Sequence, residues 1–309
     1  MKFEHKSVMP DEVMEIFQPK IDGIYLDCTL GGGGHAFRIG KILNENGMLI
    51  GIDQDVEAIQ AAKKKLSELK CKVEIVHENF SRLEKVLDDL NIEKVDGVIF
   101  DLGISSQQID TAERGFSYMH DAPLDMRMNQ EKSFSAYNVV NDYSEERLIK
   151  IFREYGEERF SKRIAAAILK NRPIKTTGEL VKIIENSVPH TKNGGHPAKR
   201  IFQAIRIEVN NELEILSKSI ISAVNRLKVG GKIVVITFHS LEDRIIKNTF
   251  KNLAQGCICP KNFPVCVCNH KAEIKILGKA KIATPEELNK NPRAKSAKLR
   301  AAEKLGGKL

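Results

Sequence analysis

Asp27-Cys28-Thr29-Leu30-Gly31-Gly32-Gly33-Gly34-His35 decides how the rest of the chain is read. The apolar run Ile24-Tyr25-Leu26 leads into it, and a helical pattern from Ala36 to Leu43 leads out. Strand, glycine loop and helix in that order open a nucleotide-binding α/β unit. Four consecutive glycines add little packing and carry a high entropic cost on folding. Two readings account for them. A ligand comes close to the backbone at the positive start of a helix, or the chain simply turns tightly between strand and helix.

The next apolar run favours the ligand. Met48-Leu-Ile-Gly-Ile-Asp53 reads as a second strand, and Asp53 lies 22 residues after Gly31. An acidic residue about 20 positions on is where such folds take ribose hydroxyls. No Gly-Lys-Ser/Thr follows the loop, so it is not a P-loop. The order Gly31-Gly-Gly-Gly-His-Ala36 is not Gly-x-Gly-x-x-Gly either, which speaks against a nicotinamide dehydrogenase. An adenosyl ligand without a pyrophosphate, such as S-adenosylmethionine, suits the pattern better.

Further strands predict the same fold. Val73–His77, Gly97–Asp101 and Lys232–Phe238 are apolar runs, separated by helical patterns at 56–69 and 81–90 and by a longer stretch. In an open α/β sheet their ends line one crevice. Phe80 follows the third strand and reads either as a stacking surface for an adenine or as core. Asp101 ends the fourth strand and runs into Leu102-Gly-Ile-Ser-Ser-Gln-Gln108, a site pattern rather than a packing pattern. Residues 109–130 form a long irregular stretch, and loops of that length in compact domains are usually functional. From 134 to 195 every segment reads as helix, with Ser144 and the Thr176/Glu179 capping box as start signals. A single long helix is predicted from His196 to Leu227, with Gln203, Arg206 and Asn210 on its polar side. Ser7 or Asp11 is the expected cap of a short first helix.

The 309 residues are 42% hydrophobic and 29% charged, as in a soluble globular protein of about two units. No apolar run is long enough to span a membrane, and no signal core opens the chain, so a cytoplasmic protein is expected. Net charge is +8, and residues 271–309 hold 11 basic and four acidic residues. That basic tail reads as a polyanion-binding segment or as a solvated end. Cys28 and Cys71 read as buried thiols. Cys257, Cys259, Cys266 and Cys268 form two Cys-x-Cys pairs, read either as a zinc site or as a loop whose thiols bind nothing.

Together the motifs resemble one family. They are Asp27-x-Thr-Leu-Gly-x-Gly-Gly-His35, Gly51-Ile-Asp53, Asp101-Leu-Gly-Ile-Ser-Ser106, Arg114-Gly-Phe-Ser117, Leu124-Asp-Met-Arg-Met128, Tyr155-Gly-Glu-Glu158, His196-Pro-Ala-Lys-Arg200, Phe238-His-Ser-Leu-Glu-Asp-Arg244 and Arg293–Arg300, with His5-x-Ser-Val-Met ahead of them. From end to end the chain resembles the bacterial 16S ribosomal RNA cytosine-N4 methyltransferases, the RsmH or MraW family. The resemblance implies a class I, Rossmann-like S-adenosylmethionine-dependent methyltransferase core with an inserted all-helical domain. The expected division is 1–112 and 196–255 for the core, 113–195 for the loop and helical insertion, and 256–309 for the cysteine loop and basic tail. It also implies methyl transfer to the N4 amine of a cytidine in the decoding region, with 16S rRNA or the small ribosomal subunit as partner.

By motif, the implied cofactor contacts are Gly33, Gly34, His35, Asp53, Phe80, Asp101 and Gln108. Gln108 comes from the resemblance alone. Cytosine's amine is a poor nucleophile, so Asp101 is the candidate acceptor of its N–H. His239, with Phe116 and Tyr118, is a candidate platform for the base. A flipped base in folded RNA is the expected substrate. A methyltransferase for another RNA, DNA or protein, and a non-catalytic RNA-binding protein, are the rival functions.

Overall fold

A computed structural model describes residues 7–189, 195–260, 265, 267–268 and 270–306, and the chain divides into two compact units. The first comprises Met1–Gly103 and Ile215–Leu309, the second Ile104–Glu214. His5 and Cys266 lie outside the described residues.

The first unit is built on one eight-stranded sheet. β1 (Ile24–Asp27), β2 (Met48–Asp53), β3 (Lys72–His77), β4 (Val95–Asp101) and β5 (Leu227–Thr237) run parallel. β6 (Ile274–Ile276) and β7 (Lys281–Ile282) pair antiparallel with β8 (Lys298–Lys304), which is itself antiparallel to β5. The order is β3-β2-β1-β4-β5-β8-β6. It reverses between β1 and β4, and ligands of open α/β sheets bind outside the strand ends at such a reversal.

Burial on both faces explains the near-continuous apolar strands. Val98, Phe100, Ile233 and Val235 pack to one side with Leu83, Leu87, Ile220 and Phe250. Ile99, Val234 and Ile236 alternate to the other, with Val13, Phe17, Ile39 and Leu66. Period-two alternation therefore feeds two cores from each central strand.

Several sequence expectations change here. The first helix, Pro10–Phe17, is capped by neither Ser7 nor Asp11; its N-cap is Met9 in a left-handed conformation, with Pro10 in the first turn. The helix after the glycine loop stops at Gly40. The single helix expected over 196–227 is two, Ala198–Asn210 and Leu216–Asn225. Asn211 breaks it at φ 52°, a conformation asparagine tolerates better than most residues, and Arg206 grips Glu212 through two bonds of 2.8 and 2.9 Å across the turn. The unit boundary falls at this break, so Ala198–Asn210 belongs with the helical unit rather than with the resumed core.

The basic C-terminal stretch is not a free tail. β8 lies inside the sheet and buries Leu299, Ala301 and Ala302. Lys298 and Arg300 bind Asp243 at 3.1 and 2.7 Å, and Lys304 binds Glu273 at 3.1 Å. Burial of Asp243 acts to raise its pKa, but the two cations outweigh this and hold it below the ordinary carboxylate range.

The second unit is helical, around Val139, Leu148, Phe152, Ile164, Ile168, Leu180, Ile201 and Ile205. Thr176 caps Thr177–Ser187 and Ser144 caps Glu145–Glu154, as the sequence predicts. Its irregular stretch is braced from within. The buried Arg114 donates to the carbonyls of Arg127 and Met128 at 3.0 and 3.2 Å, and Asn210 clasps Met126 and Met128, both at 2.8 Å. Asn210 is thus a buried brace, and Gln203 donates to the Tyr155 carbonyl at 2.9 Å, so neither lies on an open polar face.

Candidate active site

The glycine loop is stitched between its two neighbouring strands. Cys28 N–H donates to Ile99 O at 2.9 Å, toward β4, and Leu30 N–H to Ile52 O at 3.0 Å, toward β2. Gly33, at φ 73°, is the N-cap of the helix Gly34–Gly40 and packs on Ala62 and Leu66, so it satisfies a conformational need. Gly32 is different. A Cβ placed there meets nothing within 4 Å, so the loop presents bare backbone to open space.

Strand ends bring three carboxylates to this edge. Asp53 accepts from Gly31 N–H at 2.7 Å and from Asp55 N–H at 2.9 Å, which ties the end of β2 to the loop. Carboxylate oxygens have lone pairs to spare beyond these two bonds. Desolvation raises the pKa of Asp53 despite those donors. Asp27, at the end of β1, accepts from Thr29 N–H at 3.1 Å and is 2% exposed. Burial pushes its pKa up to about 7; His35 and the Thr29 N–H pull it down, while Asp101 and Asp53 add to the rise. Asp101 is fixed from behind by its own N–H, which donates to Thr29 Oγ1 at 2.6 Å.

Asp101 and His35 then form an incomplete pair. Asp101 Oδ2 stands 3.5 Å from His35 Nε2, beyond good hydrogen-bond range for these atoms. Among the described residues, neither His35 Nε2 nor Asp101 Oδ1 has a hydrogen-bond partner, and both atoms are buried. Buried polar atoms without partners cost about 1–3 kcal/mol each, so their persistence calls for a ligand. The donor set is acidic and desolvated. It disfavours a pyrophosphate and suits a ligand carrying positive charge and hydroxyl groups, which is the chemistry of S-adenosylmethionine.

Phe80 stands just beyond β3, edge-on to Phe100 with centroids 5.6 Å apart at 83°, and is half-buried. It packs against the core of the first unit while remaining partly exposed. His239, beyond β5, is the N-cap of Ser240–Leu253. Its Nδ1 accepts from Glu242 N–H at 3.4 Å, its Nε2 lies 3.1 Å from Glu242 Oε1, and Glu242 Oε2 accepts from Phe238 N–H at 2.8 Å. The capping box holds the ring through Nδ1, while Nε2 is buried without a hydrogen-bond partner among the described residues.

Three further candidates sit in the helical unit. Gln108 is buried and shares a capping box with Ser105. Phe116 is buried in that unit's core, and Tyr118 stacks on His196 at 4.7 Å. Cys257, Cys259 and Cys268 come together in the first unit. Asp27 and Thr29 are the site residues that sequence reasoning passed over. The signal was present, since Asp27 ends an apolar strand directly before the glycines. No helix among the described residues is long and apolar enough to cross a membrane.

Comparison with known proteins adds an independent line. The family profile described as the MraW methylase family matches residues 2–305. The chain is 55% identical over 310 residues to the ribosomal RNA small subunit methyltransferase H of Clostridium botulinum (strain Loch Maree / Type A3), covering 99% of this chain and 100% of that protein. It is 52% identical over 311 residues to the protein of the same name from Clostridioides difficile (strain 630), again covering 99% and 100%.

Proposed function

The chain belongs to the MraW methylase family, and we propose from that premise that it methylates the N4 amine of a cytidine in the decoding region of 16S ribosomal RNA. It is an rRNA methyltransferase that uses S-adenosylmethionine. The observation that carries the site assignment is the pair of buried polar atoms without hydrogen-bond partners among the described residues, Asp101 Oδ1 at the end of β4 and His35 Nε2 in the helix after the glycine loop.

When bound, S-adenosylmethionine would supply an electrophilic methyl group on a sulfonium, whose sulfur keeps the bonding pair and leaves as a neutral thioether. The chain's own residues do the rest. Gly33, Gly34 and His35 offer the loop backbone, Asp53 takes the ribose hydroxyls, and the accessible part of Phe80 stacks on the adenine. Gln108, in the helical unit, is a cofactor contact implied by family resemblance alone. Asp53 and Asp101 make the edge acidic, which favours a cationic ligand, while burial first, and those two neighbours after it, push the pKa of Asp27 up to about 7. Asp101 Oδ1 accepts an N–H at the reacting edge. If that hydrogen bond comes from the cytosine amine, it draws density onto nitrogen and fixes the nucleophile in line, where positioning does much of the work. His239 is held at Nδ1 by the Glu242 N–H, and its Nε2 is buried without a hydrogen-bond partner among the described residues, so the ring is the proposed platform for the base.

The small ribosomal subunit is the proposed partner. The helical unit and its braced loop are the proposed RNA-facing parts, along with those basic residues of 271–296 that are not used within the sheet. Removing 291–309 does not test RNA binding, because it takes β8 out of the sheet.

The test is methyl transfer from labelled S-adenosylmethionine into small subunits from cells that lack the enzyme, followed by digestion to nucleosides. Label in N4-methylcytidine is the expected result. Label in another nucleoside or in protein would reject the substrate assignment while leaving the cofactor site in place.

A further inference from the structure

A second cluster lies outside the site described above. The segment after Leu253 runs to Glu273, whose N–H closes its base on Leu253 O at 2.8 Å. Loops this long without secondary structure are uncommon in compact domains unless something holds them. Among its described residues, Ile258, Val265 and Val267 are 56%, 69% and 66% exposed, so apolar packing does not hold those three. What converges instead is sulfur. One ligand atom each from Cys257, Cys259 and Cys268 lies within 4.8 Å of the others.

The geometry has a specific meaning. Cys268 Sγ stands 3.8 Å from Cys257 Sγ. A tetrahedral ion with metal–sulfur bonds of about 2.3 Å has sulfur–sulfur edges of ~3.8 Å. A disulfide requires about 2.05 Å, so this pair is spaced for a shared ion rather than for a bond. Residues i and i+2 of an extended chain share a side, which lets Cys257-x-Cys259 present two thiols together. The N–H of Ile258 also points at Cys268 Sγ, 3.5 Å away, and an N–H donor stabilises a thiolate over a thiol. Gln255 Nε2 donates to the Cys257 carbonyl at 3.0 Å and orders the approach.

We infer that Cys257, Cys259 and Cys268 bind a zinc ion as thiolates, and that this ion replaces a hydrophobic core in the loop between Ser240–Leu253 and β6. Its role is structural. Closed thiolate sites supply folding energy directly. One further donor completes four-coordination. His270, two residues after Cys268, is the described candidate, since its Nδ1 is buried without a hydrogen-bond partner among the described residues.

The experiment uses the full chain purified under reducing conditions without chelators. Elemental analysis is expected to find about one zinc per chain, retained through dialysis. Cobalt substitution is expected to give a thiolate-to-metal charge-transfer band of three- or four-sulfur intensity. Cys268→Ser should lose the band, and maleimide labelling of the exposed Cys257 should be at least tenfold slower with zinc than after chelation. Cys28 and Cys71 are buried at 1% and 7% exposure, so their silence reports that the fold is intact. Substoichiometric zinc after reconstitution, no cobalt–thiolate band, or equal Cys257 labelling with and without zinc in folded protein would overturn the inference. A Cys257–Cys268 disulfide in the isolated protein would overturn it equally.

Discussion

β4 carries a carboxylate near each end, and the two are treated in opposite ways. Asp96, near its start, is 8% exposed and fully engaged: Lys228 at 2.7 Å, Lys20 at 3.1 Å and the Ile24 N–H at 3.0 Å. Burial alone would raise its pKa, but Lys228, the Ile24 N–H and Lys20 outweigh this and hold it low. Asp101, at the other end, keeps a buried oxygen with no partner among the described residues, beside two carboxylates whose pKa values burial pushes up. One edge of the sheet is satisfied and serves stability. The opposite edge is left unsatisfied at some cost in stability, as functional sites commonly are.

The sharpest test of that difference is Asp101→Asn. Removing a preorganised hydrogen-bonding group from a reacting centre costs about 10²–10³-fold in rate. Turnover should fall by that amount while Tm stays unchanged or rises. A split between kcat and the cofactor's KM then tells whether the N–H comes from cytosine or from the cofactor. Full turnover with unchanged cofactor affinity would remove both roles. Asp96→Ala should do the reverse, costing about 3 kcal/mol of stability in urea unfolding, at the low end for a broken buried ion pair because both lysines reach solvent. Its cofactor affinity should be intact; equal loss of affinity would erase the contrast between the two ends.

Asp27→Asn should stabilise the ligand-free protein, with a pH signature. Its pKa is about 7 when folded, against an ordinary value of 3.8. A raised folded pKa means that the folded state binds the proton more tightly. Its contribution is therefore fully present below pH ~4 and is lost as pH rises to ~7. The variant's advantage should be near zero at pH 4, grow to about 4 kcal/mol by pH 8, and stay flat beyond; a flat difference across that range would mean that Asp27 is not the buried acid. The smallest effect belongs to the glycines. Gly33→Ala should cost about 1 kcal/mol, since its φ is 73°. Gly32→Ala should leave Tm alone and weaken cofactor binding, read by calorimetry. If both variants lose only stability, the loop is a turn and not a cradle.

Much of this edge was legible in the sequence. The strand-ending aspartates, the glycines between them and the spacing to Asp53 are local features, and local features follow from pattern. The brace of the helical unit was not, because Arg114 and Asn210 are 96 positions apart and each reads alone as a surface polar residue. Nor was the break at Asn211. The apolar steps of three and four continue across it, so periodicity saw one helix where the fold needs two in different units. The basic C-terminal stretch misled for a related reason. Its charge is conspicuous in sequence, but the small residues Ala301 and Ala302 between the charges are what the sheet buries.

By itself, then, the sequence determined the parallel strands, the glycine loop between the first two, and the family, because each is written in neighbouring residues. Only the tertiary structure decided that β8 enters the sheet, that Asp101 and His35 are left incomplete while Asp96 is clamped, and that three cysteines converge at the spacing of a shared ion. Those outcomes depend on which distant groups reach one another. Desolvation, and with it the cost of an unpaired charge, is a property of the assembled neighbourhood rather than of any stretch of chain.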